Sequence, residues 1–282
     1  VSLEKLSKQR LGPGRSNLKI VFLWYNDVKL TCANKEQRRM DLVAEGAVQL
    51  GIPLTEQQNA QFQHYFELLV DWNQRINLTA IEDLEGVQTK HFLDSMVGLP
   101  LIAEELKTPM PLSIALRAID VGSGAGFPGI PLKIVWPSLQ LTLLDGTGKK
   151  VTFLKEVVQA LNLSDVEVVQ GRAEEFALQT AYREQYDLVM ARAVARLNTL
   201  VEYLLPFVRQ GGFVMAYKGP SAAEEFIEAQ KAIAKLGGET VRFAPVSVPF
   251  LTEERRILLI KKTSRTPQAY PRQRGLPRKD PL

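Results

Sequence analysis

From about residue 115 onward the chain alternates short apolar runs with amphipathic stretches of helical period, and this alternation leaves few folds open. The apolar runs fall at 116–121, 139–145, 166–170, 187–191, 211–217, 241–248 and 256–261. Helical stretches lie between them near 130–136, 148–161, 197–208 and 221–236. Strands alternating with helices make right-handed βαβ units, hence a largely parallel sheet with helices on both faces. Only the turn around Pro249 to Glu254 separates the last two strands, so they are expected to pair as an antiparallel hairpin at one edge. The expected fold is α/β and Rossmann-like: a seven-stranded, mostly parallel sheet over residues 113–262.

Residues 40–112 read as a smaller helical cap. Thr55 with Gln58 forms a capping box, and Phe62, Tyr65, Phe66, Leu69, Trp72 and Ile76 then recur at three- and four-residue steps. Phe62 and Trp72 are therefore expected in a core rather than on a base-stacking surface. Residues 1–39 lack such periodicity, break at Gly12-Pro13-Gly14 and precede the first methionine, Met40. They are read as a disordered arm or a start-site artefact.

Composition narrows the class. No apolar run approaches the roughly 18 residues of a membrane span. A single cysteine, Cys32, excludes a disulfide framework, and two histidines, His64 and His91, leave no histidine-built metal site. A soluble, cytoplasmic, metal-free monomer is the expectation. The net charge of +4 is unevenly spread: residues 1–39 hold nine Lys/Arg against three Asp/Glu, and 261–282 hold seven against one. The body between them is acidic. A basic tail (263–282) with Tyr270 among Arg265, Arg272, Arg274, Arg278 and Lys279 suits RNA, since arginine grips phosphate and tyrosine stacks on bases. Its prolines predict an extended chain.

The segment Ile119-Asp120-Val121-Gly122-Ser123-Gly124-Ala125-Gly126-Phe127-Pro128-Gly129 follows the first strand and leads into a helix. In an open parallel sheet this crevice is where ligands bind. Gly124, Gly126 and Gly129 fit dinucleotide spacing, whereas Gly122, Gly124 and Gly126 with Asp120 fit the tighter D-x-G-x-G-x-G pattern of S-adenosylmethionine enzymes. The second alignment puts its first glycine at the strand end, where the turn must occur. Asp145 ends the second strand, where a carboxylate can accept from both ribose hydroxyls or can serve a helix N-terminus. Either nucleoside fits Asp145; the closing hairpin and the lack of a second catalytic domain favour S-adenosylmethionine over NAD(P).

Several dispersed motifs resemble one family. The loop Gly122 to Pro131, upstream Asn77-Leu78-Thr79-Ala80 and Lys90-His91-Phe92-Leu93-Asp94-Ser95, and downstream Ala191-Arg192-Ala193 look like those of ribosomal RNA small-subunit methyltransferase G, also called glucose-inhibited division protein B. Tyr270-Pro271-Arg272, Gly275, Pro277, Lys279 and Pro281-Leu282 extend the likeness, which covers roughly 40–282. The resemblance implies methyl transfer to N7 of one guanine in 16S rRNA, on naked RNA or the small ribosomal subunit. It also implies cofactor contacts at Gly122, Phe127, Ala173, Glu174 and Arg192; the loop adds Ser123, Gly124 and Gly126.

No acid–base constellation stands out, and guanine N7, with its free lone pair, needs none. Cys32 lies outside the domain, so cysteine-dependent carbon methylation is close to excluded. Arg192 and Arg196 follow the fourth strand and Lys218 ends the fifth, placing three cations at the crevice mouth. They would grip RNA, with Arg192 positioning the substrate, or they would pair with surface carboxylates. Lys149 and Lys150 would hold RNA backbone or face solvent. His91, Asp94 and Ser95 sit too close together on one helix for a hydrolytic triad and are read as structural. An NAD(P)-dependent oxidoreductase and a non-catalytic nucleoside-sensing RNA-binding module are the competing functions.

Overall fold

In the computed structural model, which describes residues 40–273 and 275–282, each apolar run becomes a strand. The readings on 1–39, Cys32 and Arg274 lie outside the described residues. The strands are β1 Arg117–Val121, β2 Gln140–Asp145, β3 Val166–Gln170, β4 Tyr186–Arg192, β5 Val208–Lys218, β6 Gly238–Val246 and β7 Arg255–Lys262. They form one sheet in the order β3-β2-β1-β4-β5-β7-β6. β1 to β5 run parallel, while β7 slots antiparallel between β5 and β6. Sequence order therefore reverses between β1 and β4, and the crevice opens at the carboxyl ends of those strands.

The helices are α1 Asp41–Gln49, α2 Glu56–Asn73, a helical run α3, α4 Leu99–Leu106, α5 Gly129–Val135, α6 Gly148–Ala160, α7 Ala173–Phe176, α8 Leu197–Leu204, α9 Ala222–Lys235 and α10 Leu276–Lys279. In α3 a π-helical Val87–Leu93 is flanked by short α-helical Leu84–Gly86 and Asp94–Met96. The Thr55–Gln58 capping box forms as the sequence predicts. The helix expected to reach 208 stops at Leu204. Pro206 has no N–H to continue the ladder, and a 3-10 turn over Leu205–Phe207 delivers the chain to β5.

Two apolar layers flank the sheet, and β4 shows how a strand serves both. Leu188 and Met190 face one layer, with Phe62, Tyr65 and Phe92 of the cap, whereas Val189 and Ala191 face the other, with Leu200 and Phe207. This is the two-residue alternation of a strand buried on both sides. The cap shares its core with the sheet, and Met40–Leu282 form one compact unit. Phe62 is fully buried, and Trp72 packs on Phe153 with its indole N–H on Glu156.

The tail departs from the extended segment the prolines predict. Arg183 donates to the carbonyls of Thr266 (2.9 Å) and Tyr270 (2.8 Å). Arg272 pairs with Glu202 at 2.7 Å, a carboxylate with no solvent exposure. Thr199 bonds the carbonyl of Pro277 at 3.1 Å. Pro277 lies in the first turn of α10, where a missing N–H costs nothing, so proline here starts a helix instead of preventing one.

Candidate functional site

The turn after β1 is the base of the site. Gly122 takes φ +76° and donates to the Leu144 carbonyl at 2.7 Å, locking the turn against β2. A Cβ on Gly122 would lie 2.8 Å from the Val194 side chain. Gly124 (φ +61°) is different: a Cβ there would meet only the Gly122 carbonyl oxygen, at 3.9 Å. The backbone of Gly124 thus faces open space. Gly129 already belongs to α5, and a Cβ on it would strike Leu143 at 2.7 Å. The bend therefore starts at Gly122, so the tight 122/124/126 alignment describes it and the dinucleotide alignment begins too late.

Two carboxylates brace the turn. Asp145, at the end of β2, accepts from Gly124 N at 2.9 Å and from Thr147 N at 2.8 Å. It pins the cradle and keeps acceptor capacity for a ribose hydroxyl, because two carboxylate oxygens offer about four lone-pair sites. Asp120 is fully buried; its Oδ2 accepts from Gly129 N at 2.9 Å and its Oδ1 has no partner. Burial pushes this carboxyl up to about 7, against the lowering pull of the Gly129 N–H and Arg192.

A raised folded-state value means that the stability Asp120 contributes is complete below its unfolded value of 3.8 and is lost as pH rises through about 7. Asp120→Asn removes that ionisation and leaves an acceptor for Gly129. Relative to the parent, the variant should gain stability between pH 4 and pH 7, by up to about 4 kcal/mol, and plateau above. Thermal unfolding of both proteins at pH 4.5 and 8 measures the difference, and a gap independent of pH would refute the raised carboxyl.

The cap supplies the other wall. α3 carries Lys90, His91 and Asp94 to the ends of β4 and β7. Arg192 of β4 donates to the Lys90 carbonyl (3.0 Å) and to Asp94 Oδ2 (2.6 Å), and its Nη2 lies 3.1 Å from His91 Nδ1. Its guanidinium also covers the Phe127 ring at 5.0 Å. Asp94 Oδ1 accepts from Arg255 Nε at 3.0 Å, so one carboxylate joins two arginines. These groups line a cleft of about 350 Å³, together with Ala193, Tyr217 and Gly219. Lys90, Arg192, Lys218 and Arg255 face Asp94 and Glu225 there, and Lys90 also pairs with Glu253 at 2.9 Å, leaving an excess of one positive charge that attracts phosphate.

The expected site residues divide. Gly122, Ser123, Gly124, Gly126, Asp145 and Arg192 gather around the crevice. The Phe127 ring is 6% exposed and packs beneath His91 and Arg192. Ala173 and Glu174 open α7 after β3, and Glu174 accepts from Gly275 N at 3.3 Å. Lys149 and Lys279 are exposed, and Lys150 is half-buried. Three of the cations named for RNA make ion pairs within the protein. Lys218 is bound to Glu225 at 2.5 Å and to the Ala195 carbonyl, Arg196 to Glu228 at 2.9 Å, and Arg272 to Glu202. A helix supplies the carboxylate in each case, close in sequence for Lys218 and distant for Arg196 and Arg272. Of the triplet read as structural, Ser95 does bond its own helix, at the His91 carbonyl. His91 and Asp94 reach the site and were missed, as were Lys90, Arg255 and Tyr65, whose hydroxyl donates to the Ala125 carbonyl. The one available signal was the Lys90-His91-Phe92-Leu93-Asp94-Ser95 motif.

A glycine turn ending β1, an acid ending β2 and a β7 inserted antiparallel beside β5 together define a Rossmann-like class I methyltransferase. The model of the GidB family, described as rRNA small subunit methyltransferase G, matches residues 58–258. The chain is 47% identical over 242 residues to the ribosomal RNA small subunit methyltransferase G of Alkaliphilus oremlandii, covering 86% of this chain and 98% of the relative. It is 45% identical over 229 residues to that of Lactobacillus acidophilus, covering 81% and 93%. The chain belongs to the rRNA small subunit methyltransferase G family, and it is a methyltransferase whose methyl donor is S-adenosylmethionine.

The residues fit that donor. The space in front of Gly124 is one that a Cβ would occupy, and Asp145 and Glu174 stand at the next two strand ends. When bound, S-adenosylmethionine supplies an electrophilic methyl group on a sulfonium. The chain's own part is to hold the turn open, to brace it through Asp145 and to hold Arg192 beside the cleft. Among the described residues no group of three or more His, Cys, Asp or Glu could hold a metal ion, and no helix is long and apolar enough to cross a membrane.

Proposed function

We propose that the chain methylates N7 of one guanine in 16S rRNA, acting as a cytoplasmic monomer on the small ribosomal subunit. The observation that carries this reading is the cationic cleft built around Arg192, immediately beside the glycine turn. A guanidinium has five N–H donors. Three recorded bonds, to Lys90, Asp94 and His91, hold Arg192 in place. The remaining donors suit a phosphate oxygen or guanine O6. No base is required at N7, so alignment does the work, and proximity is worth about 7–11 kcal/mol of barrier. Lys149, Arg278 and Lys279, all exposed, are the cations proposed to hold RNA outside the cleft.

The test uses small subunits, and separately naked 16S rRNA, from a strain lacking the protein, with labelled S-adenosylmethionine. The expected result is label at a single guanine, located by the strand scission that 7-methylguanine permits. Binding of S-adenosylhomocysteine without transfer to either RNA would reject the reading.

A further inference from the structure

The His91 ring sits where three parts of the molecule meet. Its face stacks on Phe127 of the glycine loop, 4.4 Å between centroids and 20° between planes. Its Nε2 lies 2.8 Å from Thr79 Oγ1, and Nδ1 lies 3.1 Å from Arg192 Nη2. Thr79 is itself fixed: Asn73 Oδ1 accepts from Leu78 N and Thr79 N at 2.7 and 3.0 Å, and Thr79 Oγ1 accepts from Ile81 N at 3.1 Å. The Asn77-Leu78-Thr79-Ala80 and Lys90-to-Ser95 motifs are therefore joined through one imidazole to the residue beside the cleft.

The tautomer follows from the partners. Nδ1 also lies 3.1 Å from the Lys90 carbonyl, which an Nδ1–H could reach. That arrangement would set an N–H against the N–H of a guanidinium, and arginine has no acceptor to offer. The Lys90 carbonyl already receives Arg192 Nη1 at 3.0 Å. Nδ1 must then be the acceptor for Arg192, and Nε2 carries the proton toward Thr79. Burial and the adjacent guanidinium push the imidazole down to about 3, so the ring is neutral at physiological pH and keeps that acceptor.

We propose that His91 is a positioning residue: as the Nε2–H tautomer it anchors on Thr79 and uses Nδ1 to hold the Arg192 guanidinium in its catalytic pose beside the cleft. Asp94 neutralises Arg192, and two bonds on Nη1 tether one corner of the guanidinium. The third bond, on Nη2, holds a second corner and sets how far the group reaches into the cleft.

Two measurements test this, and only the second rests on the proposed rRNA methylation. Nitrogen-15 NMR of the full chain at neutral pH reads the ring directly. With two histidines in the sequence, and His64 exposed, His64→Gln assigns the signals. A protonated Nε2 with a bare Nδ1 is expected, and a dominant Nδ1–H form overturns the proposal even if RNA is never methylated. The second measurement compares His91→Asn, whose Oδ1 replaces the Nδ1 acceptor, with His91→Gln, which reaches toward Thr79 and offers Arg192 nothing. Both lose the stack on Phe127 equally. Transfer to RNA should fall within about tenfold for Asn and about 100-fold for Gln, chiefly in kcat, because misplacing a group by an ångström costs about that much. Equal losses in two folded variants would make His91 a packing residue and nothing more. Should either variant fail to fold, the NMR result still decides.

Discussion

Replacing Gly124 by valine should abolish S-adenosylhomocysteine binding while leaving a folded protein, a loss of at least 100-fold by calorimetry. Two effects combine, and a control separates them. At φ +61° a β-branched residue is strained by about 1–3 kcal/mol. Its methyl groups would also fill the open space from which the backbone meets the nucleoside. Gly51 has φ +74° and nothing within 4 Å of its ideal Cβ, and it lies in the turn after α1, away from the crevice. Gly51→Val therefore carries the strain without the obstruction. The two variants should lose similar stability, yet only the one in the loop should lose the ligand. Unaltered affinity in a folded Gly124→Val protein would mean that the cradle is not where the nucleoside lies.

Arg272→Ala should be strongly destabilising although it lies outside the two apolar layers. Glu202 of α8 has no exposure, and the Arg272 side chain supplies it with bonds of 3.0 Å from Nε and 2.7 Å from Nη2. Truncation leaves a buried carboxylate with only the Arg272 backbone N–H at 2.8 Å. Breaking one side of a buried pair costs about 3–5 kcal/mol. For a chain of this size each kcal/mol lowers Tm by roughly 2–4 °C. Adding Glu202→Gln to Arg272→Ala should restore most of the loss, because it removes the stranded charge. A single variant within about 1 kcal/mol of the parent would show that the pair does not hold the tail.

That second result bears on what the sequence could and could not disclose. Strand positions were legible because seven apolar runs recur with helical periodicity between most of them, and the central runs are buried on both faces. The crevice was legible because Gly122 to Gly126 occupies a place where only backbone freedom serves. The roles of the cations were not. Arg192, Arg196, Lys218 and Arg272 look alike in one dimension; each meets a carboxylate in the fold, and what sets Arg192 apart is its place over Phe127 of the glycine loop. Glu202 and Glu225 lie inside helices as ordinary charged positions, and nothing local marks them as buried. The contacts that His91 and Asp94 make were hidden for the same reason. Read along α3 they neighbour each other, and only the sheet shows that both address Arg192. The π-helical stretch Val87–Leu93, a geometry frequent at functional sites, was equally invisible to a 3.6-residue reading.

The double bridge at Asp94 has a consequence for the order in which the chain matures. Its two cationic partners lie 98 and 161 residues further along the chain. A nascent polypeptide that has produced α1 to α4 but not β7 holds an acidic group awaiting Arg255. Closure over such separations is slow. Asp94 can meet its second arginine only once synthesis has passed Arg255.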